Sequence, residues 1–189
     1  MVESGSSLRQ ALAASFLLPF LLANINHRFQ SEARYAMRDE TMTSPVTILI
    51  AEDDDGHAEL IQDHLREAGV NNPMRRFRDG QEAWDYLNTV NGGEHRENGK
   101  AYLLLLDIRM PRMDGVEVLR RVKESPALRN MPVIMLTTTD DPREVEACYR
   151  LGCNCYVTKP IDFTRFSEAL RTLGLFVMIV QVARLSEGS

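Results

Sequence analysis

Cysteine is scarce: 189 residues hold only Cys148, Cys153 and Cys155. Three clustered thiols cannot build the framework of a disulfide-stapled secreted fold, and Cys153-x-Cys155 has the wrong spacing for the common zinc or redox motifs. They read as reduced thiols packed in the core of a cytoplasmic protein. A basic excess is also lacking. The net charge of -5 gives no support to nucleic-acid binding through a cationic surface. Residues 1–41 carry four arginines and four acids, so the acidity belongs to the rest. Long apolar runs are short too. The stretch over residues 11–25 falls below the about 20 residues of a typical membrane span. It has the length of a signal-peptide core, but Glu3 weakens the basic start and no small-x-small cleavage site follows. The preferred reading takes residues 1–41 as a translated upstream segment with Met42 as the natural start. An amphipathic, membrane-contacting extension is the alternative.

What is present is ordinary for a soluble globular domain: 44% hydrophobic and 26% charged residues. The length suits one domain with extensions: residues 1–44, a domain over 45–174, and a tail over 175–189. From Val46 the pattern becomes regular. Val46–Ala51, Met74–Phe77, the leucine run Leu103–Leu106, Pro132–Leu136 and Cys155–Val157 read as strands. His57–Ala68, Gly80–Leu87, Val116–Lys123, Pro142–Leu151 and Asp162–Leu173 read as helices, and Asn88–Lys100 as a loop. Five alternations of strand and helix predict an α/β fold, a doubly wound parallel sheet with right-handed crossovers and helices on both faces. Such sheets bind ligands beyond the carboxyl ends of their strands.

Chemistry gathers at those ends. The first strand is followed by Glu52-Asp53-Asp54, the leucine run by Asp107, the fourth strand by Thr137-Thr138-Thr139, and the fifth by Thr158-Lys159-Pro160. Crowded carboxylates repel unless a cation separates them. A donor set with oxygens and without His or Cys suits Mg²⁺. Mg²⁺ shares its shell readily with phosphate oxygens, Lys159 is a point-charge partner for the same group, and Thr137 is a hydrogen-bond donor to it. Asp107 then becomes a candidate nucleophile, giving an aspartyl phosphate. Strand-end caps and a simple Lys–Asp pair are the bland alternative for any one of these residues.

Taken together, these motifs resemble the response-regulator receiver domain of two-component signalling, from about Val46 to Leu173. The resemblance implies a flavodoxin-like sheet with strand order 2-1-3-4-5. It implies Mg²⁺ held by Glu52, Asp53, Asp107 and the backbone carbonyl of Arg109. It makes Asp107, within Leu-Leu-Asp-Ile-Arg-Met-Pro-Arg-Met-Asp-Gly, the phosphoacceptor. Thr137 matches the switch hydroxyl, Tyr156 the rotating aromatic and Lys159 the invariant lysine, with a cis Lys159–Pro160 peptide. The implied partner is a sensor histidine kinase. Glu52-Asp53-Asp54, the long loop after Leu87, the segment Cys148–Tyr156 and the apolar tail resemble single-domain regulators served by phytochrome histidine kinases, which points to a bacteriophytochrome.

A phosphatase of the haloacid-dehalogenase type would place an acid two residues after its nucleophile. Arg109 stands there, so the residues favour a phosphoacceptor switch with slow autodephosphorylation over a turnover enzyme. The residues after Gly174 resemble no DNA-binding module, leaving protein contact or phosphorelay as output. Leu175–Val180 read as an apolar run beyond the last helix, able to pair as a strand in a homodimer formed with that helix, with a tail folded back on its own domain as the alternative. Asp54 or Asp55 reads as a helix cap, His57 and His64 as surface positions, and Trp84 as packing. Arg109 is either a solvated loop residue or a shield over the phosphoryl group, with Thr139 near the same water path.

Overall fold

A computed structural model of the chain describes residues 46–88, 95–97, 99–139, 141–159 and 163–179, with the backbone alone for residues 163, 165 and 174–179. The expectations for residues 1–44, for the Lys159–Pro160 peptide and for the chain after Ile179 lie outside the described residues.

Five strands alternate with five helices: β1 (Thr47–Ala51), α1 (Asp55–Glu67), β2 (Met74–Phe77), α2 (Gly80–Asn88), β3 (Tyr102–Leu106), α3 (Gly115–Glu124), β4 (Val133–Thr137), α4 (Pro142–Leu151), β5 (Cys155–Thr158) and α5 (Phe163–Ile179). All strand pairs are parallel, in the order β2-β1-β3-β4-β5. Every residue of β3 and β4 is buried, which explains their continuous apolar spelling. Successive side chains alternate between faces. Leu49, Leu104, Leu106, Val133 and Met135 share one core with Ala83, Leu87, Val118, Leu119 and Val122 of α2 and α3. Ile48, Ile50, Leu103, Leu105 and Ile134 take the opposite parity, toward α1 and α5, which pack on each other.

Local chemistry starts the helices where the site needs them. Asp54 caps α1, its carboxylate accepting from His57 N at 2.7 Å. Asp114 caps α3 through Glu117 N at 2.8 Å. Asp141 caps α4, Pro142 enters it, and Gly152 at φ 99° closes it. Each cap stands just past a strand end, so the first turns of these helices border the carboxyl edge of the sheet.

The tail expectation needs correction. The run after Gly174 is not a strand beyond the last helix: α5 continues through Gly174 to Ile179. An internal glycine costs a helix only about 1 kcal/mol, and residues 175–179 contain neither proline nor a further glycine. Among the described residues, no helix is long and apolar enough to cross a membrane.

Candidate functional site

The parallel register brings the strand ends to one edge. Asp107 N donates to Ala51 O at 2.9 Å, setting the residue after β3 beside the end of β1. Lys159 N donates to Thr137 O at 2.6 Å, tying the end of β5 to that of β4. Glu52, Asp53 and Asp107 each bring a carboxylate oxygen within 4.8 Å of the others. Glu52 and Asp107 are buried, whereas Asp53 is exposed at the pocket mouth.

Lys159 is buried with them. Its Nζ donates to Glu52 Oε2 at 2.5 Å and lies 3.2 Å from Asp107 Oδ1. Burial pushes both carboxyls above their ordinary range; Lys159 opposes that push without cancelling it. One ammonium therefore does not neutralise the pocket. The residues fit a hard divalent cation: three carboxylates converge, two of them reluctant to ionise unaided, and among the described residues no imidazole or thiol joins the set. Such a set suits Mg²⁺ and other oxygen-seeking divalent ions alike.

Thr137 is fully buried at the end of β4, and its Oγ1 accepts from Thr139 N at 3.4 Å. Tyr156 is buried, and its hydroxyl donates to Thr139 O at 3.1 Å. Burial and the nearby Glu144 raise its pKa, so it remains a donor. Glu52, Asp53, Asp107 and Lys159 thus form one charged cluster, with Thr137 joined to Lys159 through the backbone. Tyr156 is linked to the neighbouring β4–α4 segment instead. The Arg109 side chain leaves the cluster: its guanidinium donates to Glu144 Oε2 of α4 at 2.7 Å.

Several contacts were missed at the level of sequence. Arg76 of β2 donates to Glu52 O and Asp53 O, each at 3.0 Å, and to Asp55 Oδ1 at 2.5 Å. It braces the turn that carries both acids. Two arginines in a weak four-residue strand were the available signal. His57 keeps a 44% exposed side chain, as a surface position should, whereas His64 is more covered, at 14%. His57 Nδ1 lies 3.5 Å from Glu52 Oε1, and its ring meets Phe166 of α5 edge-on at 6.2 Å. Arg112, at φ 63°, binds Asp79 and holds the β3–α3 loop against the start of α2. Trp84 packs against the core as expected, with Arg121 over its ring at 5.6 Å.

Comparison with known proteins agrees with this geometry. A crystal structure of a response regulator receiver domain from Rhodospirillum rubrum is 46% identical; it covers 75% of this chain and 100% of its own, with a TM-score of 0.71. Response regulator Rcp1 of Synechocystis is 37% identical over 123 residues, which are 65% of this chain and 82% of that protein. The phosphorylated cyanobacterial phytochrome response regulator RcpA is 30% identical; the match covers 73% of this chain and 98% of that one, with a TM-score of 0.67. Residues 48–171 match the response regulator receiver domain itself. With that match laid over the acid pocket and the 2-1-3-4-5 sheet, the chain belongs to the response regulator receiver domain family.

Proposed function

We propose that this protein is a phosphorylation switch whose acceptor is Asp107. The observation that carries the reading is the Lys159 ammonium 3.2 Å from Asp107 Oδ1, inside a pocket where three carboxylates converge. Glu52, Asp53, Asp107 and the backbone carbonyl of Arg109 would hold Mg²⁺. The bound cation would neutralise the carboxylates and the oxygens of the arriving phosphoryl group.

A partner histidine kinase supplies the phosphoryl. An Asp107 oxygen bonds to phosphorus, the phosphorus–nitrogen bond of the donor breaks, and the imidazole leaves with the electron pair and takes up a proton. Lys159 offsets the negative charge of the phosphoryl oxygens as they join Asp107. The Thr137 hydroxyl turns to donate to the phosphoryl oxygens, and Tyr156 follows by giving up Thr139 O. Water later cleaves the oxygen–phosphorus bond and restores the carboxylate. Arg109 occupies the position where a turnover phosphatase of the haloacid-dehalogenase type carries its acid, which supports a switch.

The relatives support a bacteriophytochrome as the kinase, because a cyanobacterial phytochrome response regulator and bacteriophytochrome response regulators share this fold at 30–36% identity. Output passes through protein contacts, including a homodimer formed by α5 and the tail. Light scattering over a concentration series tests the dimer, and a monomer throughout counts against it.

Acetyl phosphate with Mg²⁺ tests the central reading. Wild type should take up a label that base and hydroxylamine remove, and Asp107→Asn should take up none. Equal labelling of the two proteins would overturn it.

A further inference from the structure

We infer that Glu144 is a positioning residue: it holds the Arg109 guanidinium away from Asp107 and thereby shortens the life of the phosphoryl group. The inference rests on Asp107 being the phosphoacceptor.

Arg109 follows Asp107 by two residues, a backbone distance of about 7 Å at most. Its long side chain therefore starts within reach of anything bound to Asp107. The side chain is 66% exposed and can swing. It is nevertheless drawn to Glu144, 35 residues away, at 2.7 Å. Glu144 is the more constrained partner. It stands in the first turn of α4, where its N–H bonds Asp141 O at 3.0 Å. Its side chain is only 19% exposed, and among the described residues its Oε1 is buried without a hydrogen-bond partner. A carboxylate so placed depends on Arg109 and resists losing it.

Phosphorylation sets up a competition. A phosphoryl group on Asp107 brings up to about two negative charges and three acceptor oxygens. The Arg109 guanidinium meets Glu144 through one terminal nitrogen, and forking onto the phosphoryl oxygens would turn it out of that contact. While Glu144 retains Arg109, water keeps its approach to phosphorus. When Arg109 crosses to the phosphoryl oxygens, it covers that approach and leaves the start of α4 without its tie. The same β4–α4 segment carries Thr139, which accepts from Tyr156. The exchange thus joins phosphoryl lifetime to the position of α4.

The test is a double-mutant cycle read as autodephosphorylation rate after acetyl phosphate labelling in Mg²⁺, with thermal melting of each variant. Glu144→Gln should lengthen the phosphoryl half-life roughly two- to fivefold, the range an exposed ion pair can supply. Glu144→Asp, which keeps the charge, should stay near wild type. In an Arg109→Ala background, Glu144→Gln should change nothing, because its effect runs through Arg109. A half-life in Glu144→Gln equal to or shorter than that of wild type overturns the inference. So does a lengthening that persists undiminished without Arg109, since that marks a structural effect. Should Glu144→Gln fail to fold, Glu144→Asp against Arg109→Ala decides: the lifetime should be shorter in Arg109→Ala, which has no guanidinium to cover the phosphorus, and one equal to or longer than that of Glu144→Asp overturns the inference. A wild type that takes no label at Asp107 removes the underlying phosphoacceptor reading instead.

Discussion

Lys159, just past β5, places its Nζ 2.5 Å from Glu52 Oε2, just past β1, although β3 and β4 lie between those strands. The contact joins residues 107 positions apart, and both side chains are buried. One ammonium thus faces both Glu52 and Asp107.

Lys159→Met removes that ammonium and leaves two buried carboxylates facing each other. Stability should fall by about 2–4 kcal/mol at pH 7, measured as a lower urea midpoint at constant slope. The loss should shrink at pH 5, where protonation relieves the repulsion. A loss as large at pH 5 would mean that packing, not charge, is the cause.

The pH dependence has a definite sign. Burial raises the Glu52 and Asp107 carboxyls above 4.5 and 3.8. A raised carboxyl binds its proton more tightly in the folded chain than in the unfolded one. Its stabilising contribution is therefore complete below the unfolded value and is lost as pH climbs through the folded one. Without divalent cation, wild type should lose stability over that window relative to Asp107→Asn. Mg²⁺ should reverse the trend, because it binds the ionised form. Calorimetry of both proteins, with and without Mg²⁺, supplies the comparison.

Asp79 behaves oppositely. Its burial opposes ionisation, but Arg112 and the N–H groups of Glu82 and Gln81 outweigh that and hold its carboxyl below the ordinary range. Its contribution is present above the unfolded value and is lost as pH falls through the folded one. Arg112→Ala should cost about 1–2 kcal/mol at pH 7, with the gap closing on acidification. Arg112→Gly should cost less, because glycine accepts the φ of 63° without strain. Equal losses in the two variants would show that the backbone conformation contributes nothing.

Gly115 is required by close approach. A Cβ there would lie 2.0 Å from the Asp107 carbonyl oxygen. Gly115→Ala should destabilise by roughly 2–4 kcal/mol and slow labelling of Asp107 by acetyl phosphate, because the backbone of the acceptor must shift. Gly56→Ala is the control: its Cβ would meet only the Asp54 side chain, at 3.3 Å. Similar effects at both sites would refute the close-approach argument.

Arg76→Met tests the brace beneath the acids. The two carbonyls it binds belong to Glu52 and Asp53. Divalent-cation affinity, titrated directly, should weaken roughly tenfold, consistent with the loss of groups that orient metal ligands. Unchanged affinity would restrict Arg76 to a structural role.

Much of the fold was readable because its signals are local. A run such as Leu103–Leu106 is buried on both faces and can only be a central strand. Asp141-Pro142 opens a helix and Gly152 ends one through backbone preferences confined to a few residues. The alternation of such segments implies parallel strands, and parallel strands put Glu52, Asp107, Thr137 and Lys159 on one edge. Local signals also misled. The last helix was expected over Asp162–Leu173, yet the backbone runs on through Gly174 to Ile179, because one glycine is a small cost beside the turns on either side.

Side-chain pairing belongs to a different level. The chain's 22 cationic and 27 acidic residues allow many ion pairs, and no local pattern chooses among them. Arg109 chose Glu144, Arg112 chose Asp79, and Arg76 chose two backbone carbonyls, because the loops and helix starts carry those groups within 3.0 Å or less. Periodicity and capping settle where strands and helices begin, since those preferences act within a few residues. Which charges meet, and how strongly burial bears on each, depends on distances across the folded sheet edge that only the assembled core fixes.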